Sequence, residues 1–349
     1  MPDDPTWPVH LRDDRPPDDR RLLAQLADAA HVASRGVPAG ALELAERWGQ
    51  RLPLPGRSTT LLLWEALATV AAVDLSVARA LEPHLDAAAI LAEAGEAMPS
   101  GTTWGVFAAE GPGVRLTATP VDGGHVLDGT KPWCSLAAHL THALVTAWVG
   151  EQRGLFSVDL RHPGVRVTDG AWHALGLHEV ASGPVELDRV PATPVGDPGW
   201  YLRRDGFAWG GIGVAAVWYG GAVGVARRLW AAAGERPPDQ VAQAHLGVVD
   251  LRLHAARTVL AEAARLVDDG KASGRVGALL ASRARGVVVE AAETVLTQTG
   301  HALGPAPLAL EEAHARRVAD LTLYLRQHHA VRDAAALGRQ LLECTGCPW

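Results

Sequence analysis

The stretch VLDGTKPWCSLA, Val126 to Ala137, places an Asp-Gly turn directly before a lysine, a tryptophan and a hydroxyl. Lys131 is one of only two lysines in the 349 residues, so its position asks for a reason. A second concentration of reactive side chains lies near the other end, in RRVADLTLYLRQHHAVRDAAALG. There His328 and His329 offer imidazoles that titrate near working pH and can act as base or hydrogen-bond donor, although the pair also reads as an exposed or structural feature of a helix. The terminal ECTGCPW carries a C-x-x-C, Cys344 and Cys347, which could be a redox pair or half a metal site. No second cysteine or histidine pair stands at zinc-finger spacing, and a frayed tail is the plainer expectation.

The elements that must position these groups follow from periodicity. Residues 1–17 are rich in Asp and Pro and read as a loose arm. Residues 18–98 carry apolar residues at helical spacing, as in RRLLAQLADAAHVA and TTLLLWEALATVAAVDLSVARAL, and form an N-terminal helical domain. Residues 99–198 change to short β-branched or alternating runs broken by Gly and Pro, which predicts a middle antiparallel β domain. From 199 to 349 helical periodicity returns in four long runs, 211–234, 238–269, 275–300 and 308–343, enough for a bundle. The fold class is therefore α+β and mostly α, without the βαβ alternation of a dinucleotide fold.

Composition removes whole classes of function. The chain is 48% hydrophobic and 20% charged with a net charge of -7, so it can bury a large core and has no general attraction to nucleic acid or an anionic membrane. Phe207 to Ala226 is uncharged and long enough to span a bilayer, but its six glycines suit a helix lying against neighbours in a bundle, and no membrane span is expected. Three cysteines and an opening without a signal-peptide pattern point to a reducing cytoplasm.

The order of helices, β domain and helices, together with four local strings, resembles the acyl-CoA dehydrogenase superfamily. GTKPWCS is similar to that family's G-x-K-x-W-[IV]-[ST] turn. ALGLHEVASGPVELDRVPATPVG resembles its closing run of the β domain, QVAQAHLGVVDLRLHAARTVLAEAARLVDDG one of its bundle helices, and AETVLTQTGHALG its glutamine- and glycine-rich turn. The resemblance implies FAD as cofactor, with Trp133 packed on the isoalloxazine and Ser135 bonded to its reactive edge. It implies Lys131 in the same flavin-facing strand, and Gln298 and Gly304 at the adenosine diphosphate end across a subunit boundary. An indole face covers a flat apolar ring and excludes water, which is the physical sense of such a contact.

Departures from the family pattern fall on the chemistry. The loop that wraps the flavin is shortened to FAAEGPGVRL, retaining Glu110, and GERPPDQ leaves Arg236 as the phosphate partner. Dehydrogenation of an acyl thioester needs a carboxylate base, yet the family's glutamate position falls on Leu325 or His328. His328 and His329, with Asp320 and Glu235 as carboxylates elsewhere, are the candidates to replace it. The first expectation is an FAD-dependent oxidoreductase acting on an acyl thioester or related substrate with an altered base. The alternatives are a flavin monooxygenase of the same fold and a degenerate partner subunit that binds flavin weakly or not at all. A homodimer or homotetramer is expected.

Overall fold

The computed structural model describes residues 7–349, apart from Asp169 and Arg236. Four helices open the chain: α1 (Pro17–Ala33), α2 (Ala39–Gly49), α3 (Thr60–Val73) and α4 (Leu75–Glu93). α1 buries Leu23, Leu26, Ala27 and Ala30, the i, i+3, i+4, i+7 stripe of an amphipathic helix. α3 is buried on every side from Leu63 to Val73, with Glu65 and Thr69 its buried polar side chains in that run. Asp74 begins α4 by accepting from Val77 N–H at 3.0 Å, an N-cap that occupies one of the helix's spare donors.

The arm is not loose where it is described. Val9 and Leu11 are buried, Val9 N–H donates to Thr69 at 2.9 Å, and Leu11 N–H donates to Glu65 at 2.8 Å. Arg15 completes the clasp with an ion pair to Glu65 at 2.7 Å. The Asp- and Pro-rich composition hides this because Glu65 and Thr69, which hold the arm, lie on α3.

Seven strands follow: β1 (Trp104–Phe107), β2 (Leu116–Val121), β3 (Gly124–Lys131), β4 (His142–Val149), β5 (Gln152–Asp159), β6 (Val165–Val167) and β7 (Val185–Pro194). They form one sheet in the order β1-β4-β2-β3-β7-β5, with β6 on β7 and a further β4–β5 pairing. The antiparallel expectation holds for most pairs, but β4 runs parallel to both β1 and β2. The β2–β3 hairpin stands between β1 and β4 in sequence, so the chain re-enters beside β1 in the same direction.

The C-terminal part comprises α5 (Trp200–Arg203), α6 (Asp205–Glu235), α7 (Gln240–Asp268), α8 (Gly274–Leu303), α9 (Ala306–Leu310), α10 (Glu312–Tyr324) and α11 (Val331–Leu342). The fourth long helix expected from 308 to 343 is broken: a 3-10 turn at Leu325–Gln327 follows α10, and Ala330 adopts φ 44° before α11 starts. That break sets His328 and His329 in a corner instead of along a helix. α6 is the one described helix long and apolar enough to cross a membrane, and 67% of its most apolar window is buried in the protein. Its glycines explain the burial. A Cβ on Gly220 would overlap the Ala68 carbonyl, and one on Gly224 would lie 2.8 Å from the Ala72 carbonyl, so α3 and α6 meet backbone to backbone.

Candidate active site

At the end of β3 Lys131 and Trp133, two residues apart, take opposite directions. Lys131 is 1% exposed, and its Nζ donates to Glu110 Oε1 and Thr146 Oγ1, each at 2.8 Å. Glu110 also accepts from Trp148 Nε1 at 3.2 Å, so Lys131 ties the loop after β1 to β4. Burial lowers the lysine's pKa, with the Glu110 charge pulling the other way. The expectation that Lys131 faces the cofactor is corrected here: its ammonium is enclosed in the β domain because its charge is matched there by Glu110.

Trp133 points outward. It is 61% exposed, with φ 61°. Both flanks are fixed: before it Lys131 pairs with Val185 of β7, and after it Cys134 N–H donates to Gly183 O at 3.0 Å and Leu136 N–H to Ala181 O at 2.8 Å. A large apolar ring is therefore held in solvent on a backbone that is costly for a non-glycine residue, a combination that favours a contact surface over a core role. Burial pushes the neighbouring Cys134 thiol up to about 12, which keeps it inert.

Ser135 opens a directed chain of hydrogen bonds. Ser182 Oγ donates to Val180 O at 2.9 Å, so in its 2.7 Å contact with Ser135 it can only accept. Ser135 spends its proton there and accepts from Arg79 Nη2 at 3.4 Å. Arg79 on α4 pairs with Glu82 at 2.6 Å and donates to Tyr324 Oη at 3.2 Å. Burial raises Glu82 to about 7, with Arg79 opposing it, and burial also raises the Tyr324 phenol well above its ordinary value. Tyr324 meets Trp218 of α6 edge to face at 6.0 Å, and the Arg285 guanidinium of α8 lies over Trp218 at 4.5 Å.

His328 stands beyond the hydrogen bonds, on the far side of Trp218. Its ring stands 6.5 Å from that of Trp218, its side chain is 12% exposed, and Ala330 N–H donates to Nδ1 at 3.2 Å. The neutral ring therefore carries its proton on Nε2, 3.6 Å from Asp333 Oδ2. Burial lowers its pKa, while Asp333 works against that. His329 is exposed, with Nδ1 3.8 Å from Asp333 Oδ1.

The other candidates lie apart. Asp320 is buried, and its Oδ1 accepts from Leu177 N–H at 2.5 Å. A Cβ on the adjacent Gly176 would overlap the Ala319 carbonyl, so this carboxylate docks the β domain onto α10. Burial raises its pKa to about 6. Gln298 is bonded to His245 Nδ1 of α7 at 2.7 Å, beside an open groove of about 380 Å³ lined by Arg252, Glu290 and Thr294, and Gly304 ends α8 at φ 68°. Glu235 closes α6, 3.5 Å from Arg228. Arg236 lies outside the described residues. A crevice of about 30 Å³ between α3, α4 and α6 touches Glu82, Asp86 and Trp64, room for about one water. No group of three or more His, Cys, Asp or Glu among the described residues is placed to hold a metal.

Residues 197–327 match the family model described as acyl-CoA dehydrogenase, C-terminal domain. Among curated proteins none matches the chain. Solved structures do. KijD3 in complex with FMN and dTDP-3-amino-2,3,6-trideoxy-4-keto-3-methyl-D-glucose is 20% identical, with a TM-score of 0.80 over 97% of each chain. The nitrososynthase from Micromonospora carbonacea var. africana is 23% identical, with a TM-score of 0.76 over 96% of this chain and 99% of that one. FMN-bound TdsC from Paenibacillus sp. A11-2, a dibenzothiophene monooxygenase, is 18% identical, with a TM-score of 0.78 over 91% of this chain and 95% of its own. The chain has the acyl-CoA dehydrogenase fold.

Within the acyl-CoA dehydrogenase fold, the structure joins Ser135 to His328 through residues that sequence reading passed over: Ser182, Arg79, Glu82, Tyr324, Trp218 and Arg285. One signal was present. Arg79, Glu82 and Asp86 stand at i, i+3 and i+7 in an α4 otherwise rich in alanine and leucine, a charged stripe that a buried helix keeps only when the charges are paired. The direction of the Ser135–Ser182 bond had no signal, because it depends on a contact across 47 residues.

Proposed function

We propose that this protein is a flavin-dependent monooxygenase that uses FMN, reduced by a separate reductase, to insert one atom of dioxygen into a small organic substrate, the other atom leaving as water. The observation that carries the reading is the Trp133 indole presented on a fixed backbone beside the Arg79–Ser135–Ser182 chain, with His328 standing behind it against Trp218. The residues fit the isoalloxazine end of a flavin: an exposed aromatic face, a hydroxyl two residues on, and fixed backbone on both sides. The dinucleotide end is less well served, since Gln298 is already engaged by His245, and this supports FMN over FAD. The FMN named with KijD3 and TdsC supports the same choice.

When bound, reduced flavin would supply the two electrons that activate dioxygen. The protein's own residues bind, orient and manage protons. Trp133 covers the ring and keeps water from it. Ser135 has a lone pair free to accept, and it can donate once Ser182 turns away. His328 Nε2 carries a proton that the imidazolium form can pass to the leaving oxygen, becoming the neutral ring that recharges from solvent; burial disfavours that charged form and Asp333 supports it. No carboxylate of the chain is needed for this role: Asp320 is occupied by Leu177 N–H and Glu82 by Arg79.

A second reading, acyl-thioester dehydrogenation, is favoured by Glu82, whose raised pKa of about 7 suits a base. Absorption spectroscopy separates the two. The oxygenase reading expects the purified protein to retain FMN better than FAD, with the bound oxidised flavin unchanged by acyl-CoA mixtures under anaerobic conditions. Anaerobic bleaching that is lost in Glu82→Gln would establish dehydrogenation, and refusal of both flavins would leave the non-catalytic partner subunit. The unburied α11, with Val331 81% and Leu342 87% exposed, supports a homo-oligomer.

A further inference from the structure

Beyond Tyr324 lies a group of hydrogen-bond donors without acceptors. Arg285 donates from Nη1 to Gly211 O at 3.0 Å and rests on the Trp218 ring, but it has no carboxylate at ion-pair distance among the described residues. The nearest acidic groups are committed elsewhere. Asp333 accepts from His329 N–H at 3.1 Å and faces His328, and Glu82 pairs with Arg79. Burial works against the arginine's charge, and Asp333, Tyr324 and Glu82 oppose that only through space. Trp218 is fully buried, yet its Nε1–H has no partner among the described residues. Tyr324 Oη accepts from Arg79, and its own proton meets no acceptor among the described residues.

Buried donors are normally satisfied, and a buried charge is normally paired. The orphan indole N–H and the phenol proton therefore share one deficit, an oxygen that accepts, and the Arg285 guanidinium on the Trp218 ring adds a positive charge with no carboxylate paired to it among the described residues. Arg285 is partly exposed, which gives the way in. The surroundings are apolar, with Leu321 and Leu325 fully buried beside Tyr324. They suit a carboxylate carried on an apolar body better than free inorganic phosphate.

We infer that Arg285, Trp218 and Tyr324 form a receptor for a carboxylate of the substrate. The guanidinium takes the anion through its remaining N–H groups, and the two aromatic donors select its orientation. Calling that ligand the substrate rests on the oxygenase reading. The receptor itself does not.

Isothermal titration calorimetry of the full chain tests it with benzoate and acetate as carboxylate probes and benzamide as the uncharged match. Benzoate should bind at least tenfold more tightly than benzamide. Arg285→Gln should lose at least tenfold of the benzoate affinity, Arg285→Lys part of it, and Trp218→Phe severalfold, while Arg283→Gln on the exposed face of α8 keeps it. Equal affinity for benzoate and benzamide, no binding of either carboxylate, or full benzoate binding by Arg285→Gln would overturn the inference and leave Arg285 as a pillar on Trp218. Should Arg285→Gln fail to fold, the benzoate-to-benzamide ratio of the unaltered protein and of Arg285→Lys still decides. FMN titrated in parallel keeps the two readings apart: FMN binding without carboxylate binding sinks only the receptor, and the reverse sinks only the oxygenase.

Discussion

Arg79 Nη2 lies 3.4 Å from Ser135 Oγ, and this contact joins the N-terminal helices to the end of β3. The same guanidinium reaches Glu82 and Tyr324. Three parts of the chain, far apart in sequence, therefore share one planar cation. Its fork geometry fixes the angles among them in a way an ammonium would not. The site is held from behind by this cation, while Trp133 in front is held only by its own backbone.

That division predicts what loss of the indole does. Trp133→Ala removes a ring that is 61% exposed and packs on little, so stability should change by no more than about 0.5 kcal/mol. FMN affinity should fall about tenfold, the equivalent of about 1.4 kcal/mol of stacking. Thermal unfolding and a flavin titration on the same sample check both halves. A large drop in melting temperature, or unchanged flavin affinity, would remove Trp133 from the site.

Lys131→Met should behave in the opposite way. It leaves Glu110 with only Trp148 and Arg153 and Thr146 without its donor, and breaking a buried pair from one side costs about 3–5 kcal/mol. Glu110 is 34% exposed on its side chain, which moves the expectation to the lower end of that range. Denaturant unfolding of Lys131→Met, Glu110→Gln and the double variant measures the coupling. A loss below about 1 kcal/mol in the single lysine variant would mean the pair is solvated and weak.

These two residues also show how far the sequence could be read. Helical and β periodicity gave the fold class, helices around a middle sheet, because burial imposes its period on every element whatever the function. The GTKPWCS string drew attention to this turn, yet it could not say that Lys131 turns in and Trp133 turns out. Alternation along a strand makes both 131 and 133 face the same way, and the φ of 61° at Trp133 breaks that alternation. In the same way the run through His328 kept helical spacing, while the corner at Ala330 depends on tertiary contacts around it. The Arg79 to Ser135 link was illegible because each half is ordinary in its own segment.

The Asp320 carboxyl predicts a pH dependence of stability. Burial raises its folded pKa to about 6, above its ordinary value of 3.8, so between these values the folded state binds more protons than the unfolded one. Its contribution is then fully present below about pH 4 and is lost as pH rises through about 6. Asp320→Asn keeps an oxygen for Leu177 N–H and removes the titration. The difference in melting temperature between variant and parent should shift in favour of the variant as pH goes from 4 to 7. A parallel pair of curves would mean that the carboxylate is ionised throughout.

The histidine corner separates two neighbours by environment alone. His328 has a 12% exposed side chain beside Trp218 and a lowered pKa, whereas His329 is 63% exposed and faces solvent. A proton delivered from His328 requires the ring to recharge between turnovers, so activity should fall as pH rises well above its depressed pKa and the protonated supply becomes scarce. His328→Gln should lower turnover by about 10²-fold, the usual worth of a positioned proton donor, and abolish that limb of the profile. Its effect on FMN affinity should be small, because nothing in the Trp133 and Ser135 surface depends on the ring. His329→Gln should leave both turnover and profile unchanged. Steady-state oxygen consumption against pH for the three proteins checks the assignment, and an equal loss in both variants would mean that the corner acts as a structural unit with neither ring passing a proton.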